Sequence, residues 1–177
     1  MHGRYADLIV IGQLDAYDSQ AGLLRARPEE VTMLAGRPVL VVPFTGHFER
    51  ISTRVLVGWD ASREAARAVR DAMPLLARAE AVTVLTVDAE QSPFGHGEIP
   101  GADIALYLAR HGVKAEVERT VSAGIGIGNT LLSRAADFEA DLLVMGAYGH
   151  SRMREFVLGG ASRTLLGSMT VPLLIAH

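Results

Sequence analysis

Residues 141–160 read DLLVMGAYGHSRMREFVLGG, and this stretch decides how the rest of the chain is interpreted. An apolar run of strand length follows the aspartate, as is typical of a β-strand buried on both faces. Glycines then stand at Gly146, Gly149, Gly159 and Gly160, which gives the spacing G-x2-G-x9-G with one further glycine. A glycine-rich loop between a strand and a helix can hold an anion with its backbone amides, because no side chain keeps the anion away. The stretch predicts a strand, a loop and a helix, and the alternative for the loop is a tight turn that binds nothing.

Working outward, strand signals alternate with helix signals from residue 53 onward. Apolar or β-branched runs of strand length occupy residues 54–58, 81–87, 114–121, 141–146 and 171–176. Helical spacing of apolar residues lies between these runs. The alternation predicts an α/β fold, a doubly wound, Rossmann-like open parallel sheet with helices on both faces.

Two of these runs are expected at the edges of the sheet. Residues 114–121 carry charges at every second position, Lys114, Glu116 and Glu118, which favours an exposed edge strand. The run Val171–Ala176 is apolar throughout, and because it comes last we expect it at the other edge. A bare apolar edge invites pairing, so association through this strand is predicted, with another chain or with another repeat.

The first 43 residues resemble the last 43. The run DLIVIG at 7–12 matches DLLVMG at 141–146, and RPVLV at 37–41 matches VPLLI at 171–175. Both matches have the same offset of 134 residues (141 minus 7 and 172 minus 38). Shared offsets are what an internal repeat predicts, and two unrelated strand motifs are the alternative. The predicted organisation is a partial repeat at 1–43 (strand, helix, last strand), a linker at 44–52 and a complete domain at 53–177.

That partial repeat lacks the first strands of a complete unit, so it must pack on the complete domain or on a partner chain. The strand Pro38–Val42 is expected to pair antiparallel with Val171–Ala176 of the same chain, which gives a pseudo-dimer, or to exchange between two chains of a homodimer.

Composition excludes several classes of protein. The 177 residues contain no cysteine, which excludes disulfides and thiolate metal sites, and the net charge of −3 argues against a nucleic-acid partner. No apolar run approaches the roughly 20 residues that span a membrane, and residues 1–10 lack the pattern of a signal peptide. We therefore expect a cytoplasmic protein with neither a membrane nor a nucleic acid as partner.

The glycine spacing, the opening strand followed by Asp60 and the closing run VPLLIA together resemble universal stress proteins. The resemblance covers residues 53–177 and implies the strand order 3-2-1-4-5 within this unit. It implies an adenine-nucleotide (ATP) binding regulatory module in a stress response, with or without Mg²⁺, that dimerises through its last strand. It implies no dedicated catalysis, and the sequence shows no catalytic set of side chains.

The resemblance also assigns positions to the nucleotide. Asp60 corresponds to the residue lining the base and ribose pocket, Val87 to the apolar residue against adenine, and Met145 to the residue before the loop. The phosphates are assigned to Gly146, Gly149, Arg152, Gly159, Gly160 and Ser162. The alternatives are a helix-capping role for Asp60, ordinary core positions for Val87 and Met145, and a solvated loop face for Arg152.

One position departs from the family pattern. Members that bind ATP have Ser or Thr directly after the last loop glycine, where this chain has Gly160. A hydrogen bond to a charged group contributes about 1.5–3 kcal/mol, so the loss is expected to weaken binding about 10- to 100-fold. Ser162 is a candidate substitute. In residues 1–43, Asp15 and Arg25 replace the loop glycines, so this segment is predicted to bind no nucleotide.

Other features have weaker interpretations. Gly124, Gly126 and Gly128 resemble a dinucleotide fingerprint, but Asn129 stands where its third glycine belongs, which favours a tight turn. Trp59 is expected to pack rather than to stack on a base. His150 and Arg154 in the loop and the isolated His96 are expected at the surface. The alternative function is a nucleotide-free interaction module of the same fold, and a transferase on a related nucleotide fold is a third possibility.

Overall fold

The computed structural model of the chain describes residues 2–14, 27–91, 99–147 and 160–177. The strands are Ile9–Gly12 (β1), Val39–Val42 (β2), Arg54–Gly58 (β3), Ala81–Val87 (β4), Ala115–Thr120 (β5), Leu142–Gly146 (β6) and Leu173–Ala176 (β7). The helices are Pro28–Ala35 (α1), Arg63–Leu76 (α2), Ala102–Arg110 (α3), Ile127–Asp137 (α4) and Gly160–Ser168 (α5). Each strand predicted from residue 53 onward is present.

All the strands belong to one seven-stranded sheet, in the order β1-β2-β7-β6-β3-β4-β5. The strands β3 to β7 run parallel to their neighbours among themselves. Numbered within residues 53–177, they have the order 3-2-1-4-5, which confirms the predicted doubly wound topology. The charged strand β5 lies at the edge, also as predicted.

The last strand, β7, is the outer strand of that unit, but in this chain it is not an edge of the sheet. Strand β2 pairs antiparallel with it, with Leu40 opposite Leu174 at the centre, and β1 pairs parallel with β2. The pairing predicted for Pro38–Val42 therefore occurs within one chain. The expectation that the apolar last strand is left bare is wrong for this chain, because β2 already occupies its hydrogen-bonding side.

The offset of 134 residues seen in the sequence also relates the pairings. Ile9 lies opposite Val39 as Leu143 lies opposite Leu173, and the next three pairs correspond in the same way. The Ile9 amide donates to the Pro38 carbonyl at 3.0 Å, and the Leu143 amide donates to the Pro172 carbonyl at 2.9 Å. The β1–β2 and β6–β7 pairs are thus equivalent in register and meet across the antiparallel β2–β7 pair.

Helices cover the sheet on both faces, as the apolar runs predict. On one face α1, α4 and α5 pack over a cluster that includes Leu56, Leu143 and Leu165. On the other face α2 and α3 pack over a cluster that includes Val57, Val144 and Leu174. None of the helices in the described parts of the chain is long and apolar enough to cross a membrane.

Candidate functional site

The strand order reverses between β3 and β6, which are parallel neighbours with Gly58 opposite Met145. After β3 the chain enters α2 on one face of the sheet, and α5, the helix that follows β6 in sequence, packs on the other face. The two connections diverge, and this leaves a crevice at the carboxyl ends of the two strands. In open α/β sheets such a crevice is where ligands bind.

Asp60 and Ser62 shape the side of the crevice that follows β3. The Ser62 amide donates to Asp60 Oδ1 at 3.0 Å, and the Ala65 amide donates to Ser62 Oγ at 3.1 Å. Ser62 is the N-cap of α2, because its hydroxyl satisfies an amide that has no partner within the helix. Asp60 thus has the turn-forming and capping role that was its alternative interpretation, and it lies half-buried directly after β3.

Gly146, at the end of β6, packs directly on the first turn of α2. A Cβ atom at this position would lie 2.5 Å from the carbonyl carbon of Glu64 and in collision with the Ala65 amide nitrogen. The sequence marked Gly146 as a loop glycine and missed this packing role. Its contact partner lies about eighty positions earlier in the chain, so no local pattern indicates it.

Met145 and Val87 lie on the face covered by α4 and α5. Met145 is 8% exposed and belongs to the core cluster, and Val87 is partly buried against that cluster. Leu131 of α4 lies over the end of β3, since a Cβ atom on Gly58 would be 3.2 Å from Leu131 Cδ2. Both predicted nucleoside residues are therefore core residues at the carboxyl ends of their strands. Trp59 is partly buried against the cluster on the other face, which confirms its packing role.

The three glycines before α4 serve a turn and a helix contact. Gly124 and Gly126 have φ of +83° and +84°, in the region that side chains rarely adopt. Gly128 is buried, and a Cβ atom there would lie 2.7 Å from Thr164 Cβ and 2.9 Å from the Ala161 carbonyl oxygen. The tight-turn interpretation is confirmed, and the motif also lets α4 and the first turn of α5 come into close contact.

The start of α5 separates the two candidates for the missing hydroxyl. Gly160, the first residue of the helix, is exposed, and no atom would lie within 4 Å of a Cβ placed there. Ser162 is 2% exposed and belongs to the buried side of the helix. The loop positions Gly149, Arg152 and Gly159 lie outside the described residues, as do His150, Arg154 and His96.

Asp88, which the sequence did not single out, ties together the carboxyl ends of β4 and β5. Its backbone amide donates to the Thr120 carbonyl at 3.0 Å, and Asp88 Oδ1 accepts from the Ser122 amide at 2.9 Å. Hydrogen bonds from the hydroxyl and the amide of Ser122 hold the pKa of the Asp88 carboxyl below its ordinary value. An aspartate directly after a strand is the only local signal of this role.

The arrangement at this edge of the sheet suits an anion. The helices α2, α4 and α5 each follow a parallel strand, so their N-termini, with unpaired amides and the positive end of the helix dipole, lie at the same edge. The α5 N-terminus is open at Gly160, which leaves room for a phosphate group. Within the described residues, no three His, Asp or Glu side chains come together as a metal site.

Comparison with known proteins agrees with this fold and site. The family model of the universal stress protein family matches residues 52–177 of the chain. A curated universal stress protein of Synechocystis sp. is 30% identical over 171 residues, a match covering 95% of this chain and 57% of that protein. This chain therefore spans little more than half the length of that relative.

Two solved structures have the same fold. A universal stress protein from Archaeoglobus fulgidus superposes with a TM-score of 0.72 at 19% identity, covering 99% of this chain and 64% of that one. A universal stress protein solved in complex with cAMP superposes with a TM-score of 0.50 at 23% identity, covering 71% of this chain and 97% of that one.

Proposed function

Because the chain belongs to the universal stress protein family, we propose that it is an adenine-nucleotide-binding regulatory module that acts in a stress response. The observation that carries the proposal is the open N-terminus of α5, beside the carboxyl end of β6, where the strand order reverses. A crevice at that point, with helix amides directed into it, is suited to a nucleotide phosphate. The solved relative that holds cAMP supports the choice of an adenine nucleotide.

The proposed ligand is ATP, with or without Mg²⁺. We assign its phosphates to the amides of the loop between β6 and α5, including Gly149 and Gly159, and to the first amides of α5. Arg152 is proposed to neutralise phosphate charge. The adenosine is assigned to the crevice between Asp60, after β3, and the ends of β4 and β6 at Val87 and Met145.

We propose that the protein signals by binding rather than by dedicated catalysis, and that it works in the cytoplasm. Its output would pass to a partner protein when the nucleotide is bound. The second candidate, a nucleotide-free interaction module, is favoured by one observation, the absence of a hydroxyl at Gly160.

We also propose that residues 1–43 are a partial repeat, joined by residues 44–52 to the complete domain at 53–177. This is supported by the equal register of the β1–β2 and β6–β7 pairs at an offset of 134 residues. Strand β2 then stands where a partner subunit's last strand would pair, and the chain is a pseudo-dimer within one molecule. A homodimer through β7 would require β2 to leave that edge.

The proposal is tested by purifying the protein without added nucleotide, denaturing it and identifying released small molecules by mass spectrometry. The stripped protein is then titrated with ATP, with and without Mg²⁺, by calorimetry. Co-purified adenine nucleotide, or saturable micromolar binding lost in Gly149→Val, would support the nucleotide site. No released ligand and no heat at millimolar ATP would contradict it and favour the interaction module.

Gly160→Ser is expected to strengthen ATP binding about 10- to 100-fold, because it restores a hydroxyl donor beside the phosphates. The position accepts a side chain without collision. Gly160→Ala is the matched control, since it adds the Cβ atom without the hydroxyl. Calorimetric affinities of the two variants decide the question, and equal affinity for the serine and alanine variants would show that position 160 does not contact the phosphates.

A further inference from the structure

The start of β6 holds the start of β3 through one carboxylate. Asp141 Oδ2 accepts from the Thr53 amide at 2.9 Å, and Asp141 Oδ1 accepts from the Arg54 amide at 3.0 Å. The Asp141 amide in turn donates to the Arg54 carbonyl at 2.9 Å. The carboxylate thus fixes the end of the neighbouring strand and sets its register against β6, where Val55 lies opposite Leu142.

Asp7 is the equivalent residue before β1 at the same offset of 134 residues. Asp7 is exposed, and among residues 2–14, 27–91, 99–147 and 160–177 no strand pairs with the outer side of β1. The amides of Ile9 and Gln13 are used by β2. Since backbone groups alternate in direction along a strand, the amides of Val10 and Gly12 face the open side.

An apolar groove of about 520 Å³ lies beside this open edge, and it is lined by Gly3, Arg4, Ile9, Ile11, Glu30, Val31, Leu34 and Ala35. At the equivalent place in the second unit, α4 packs over the sheet, and Leu143, Met145 and Leu165 are at most 8% exposed. On the β1 side Leu34 is 61% exposed. The edge therefore offers unpaired backbone, an uncovered apolar surface and a carboxylate at one place.

We propose that the outer edge of β1 is a docking site for an extended apolar strand of another polypeptide. The strand runs parallel to β1 and takes the position that β3 has beside β6. Its first two amides bind the Asp7 carboxylate, and its backbone pairs with that of Val10 and Gly12. The negative charge of Asp7 complements amide donors at the amino end of the incoming strand, which fixes its direction and register.

The probe is an acetylated peptide with the sequence of residues 51–59, ISTRVLVGW, which includes β3, extended by lysines and a fluorophore at its carboxyl end. We expect saturable binding of one peptide per chain by fluorescence anisotropy. Hydrogen exchange of the Val10 and Gly12 amides is expected to slow when the peptide binds. Asp7→Asn is expected to weaken binding about 10- to 100-fold, since hydrogen bonds to a charged acceptor are lost.

Glu116→Gln is the matched control, because it removes one exposed carboxylate at the opposite edge of the sheet. It is expected to leave the affinity for the peptide unchanged. Val10→Pro, which removes an outward-facing amide from an edge strand, is expected to abolish binding. Equal affinity of the Asp7→Asn and Glu116→Gln variants, or slowed exchange elsewhere than β1, would overturn the proposal. It would also be overturned by self-association of the chain through β1 that the peptide does not displace, since a second copy would then be the occupant.

Discussion

Gly146→Ala is expected to lower the free energy of unfolding by about 3 kcal/mol, at the upper end of what overpacking costs. The added methyl group would collide with backbone atoms of Glu64 and Ala65. A backbone neighbour cannot rotate out of the way as a flexible side chain can, so β6 and the first turn of α2 would have to separate. Urea denaturation followed by circular dichroism measures the change.

Gly160→Ala is the control for this experiment, because it makes the same chemical change where no atom lies within 4 Å of the new Cβ atom. It is expected to leave stability unchanged or to raise it by about 0.5–1 kcal/mol, as alanine has the better helix propensity. The packing role of Gly146 is contradicted if the two variants unfold at the same urea concentration. A loss of nucleotide binding in Gly146→Ala without a loss of stability would instead assign this glycine to the ligand.

Deleting residues 1–50 is expected to change the oligomeric state of the protein, the second large effect. The deletion removes β2 and leaves one hydrogen-bonding side of β7 unpaired, next to the buried side chains Leu173, Leu174 and Ile175. An exposed, apolar edge strand pairs readily with another chain. Light scattering coupled to size-exclusion chromatography is expected to show a dimer or larger species.

Deletion of residues 1–6 is the matched control, because it leaves β1, α1 and β2 in the chain. It is expected to keep the oligomeric state of the full chain. If the longer deletion also keeps that state, the idea that β2 protects the edge of β7 is wrong. If both deletions change it, residues 1–6 rather than β2 govern association.

The parts of the fold that depend on local pattern could be predicted. The strands of residues 53–177 appear as apolar runs because both faces of the sheet are covered, and Ser62 was correctly identified as an N-cap from its place before an apolar helical pattern. Alternating charges indicated the edge strand β5. Helix boundaries were less certain. Helix α4 begins at Ile127 rather than Thr130, because a turn of positive-φ glycines precedes it and leaves little apolar pattern.

The candidate site was predicted in part. Its place at the carboxyl ends of β3 and β6 followed from the order of the strands, but the roles of its residues did not. The carboxylate of Asp60 holds the turn into α2, and Met145 lies in the core. The contribution of Gly149, Arg152 and Gly159 stays a prediction. Gly146, Gly128 and Asp88 have structural roles that no nearby residue indicates.

The sequence by itself determined the fold class, the strand order of the unit at 53–177, and the equivalence of the two ends of the chain at one offset. These properties are written in local periodicity and in repeated motifs, which do not depend on distant partners. Only the tertiary structure decided that β2 pairs with β7 of the same chain, that Gly146 contacts α2, and that Asp7 has no neighbouring strand where Asp141 holds β3. Each of these depends on the approach of segments far apart in sequence, and a single chain read in order carries no record of that approach.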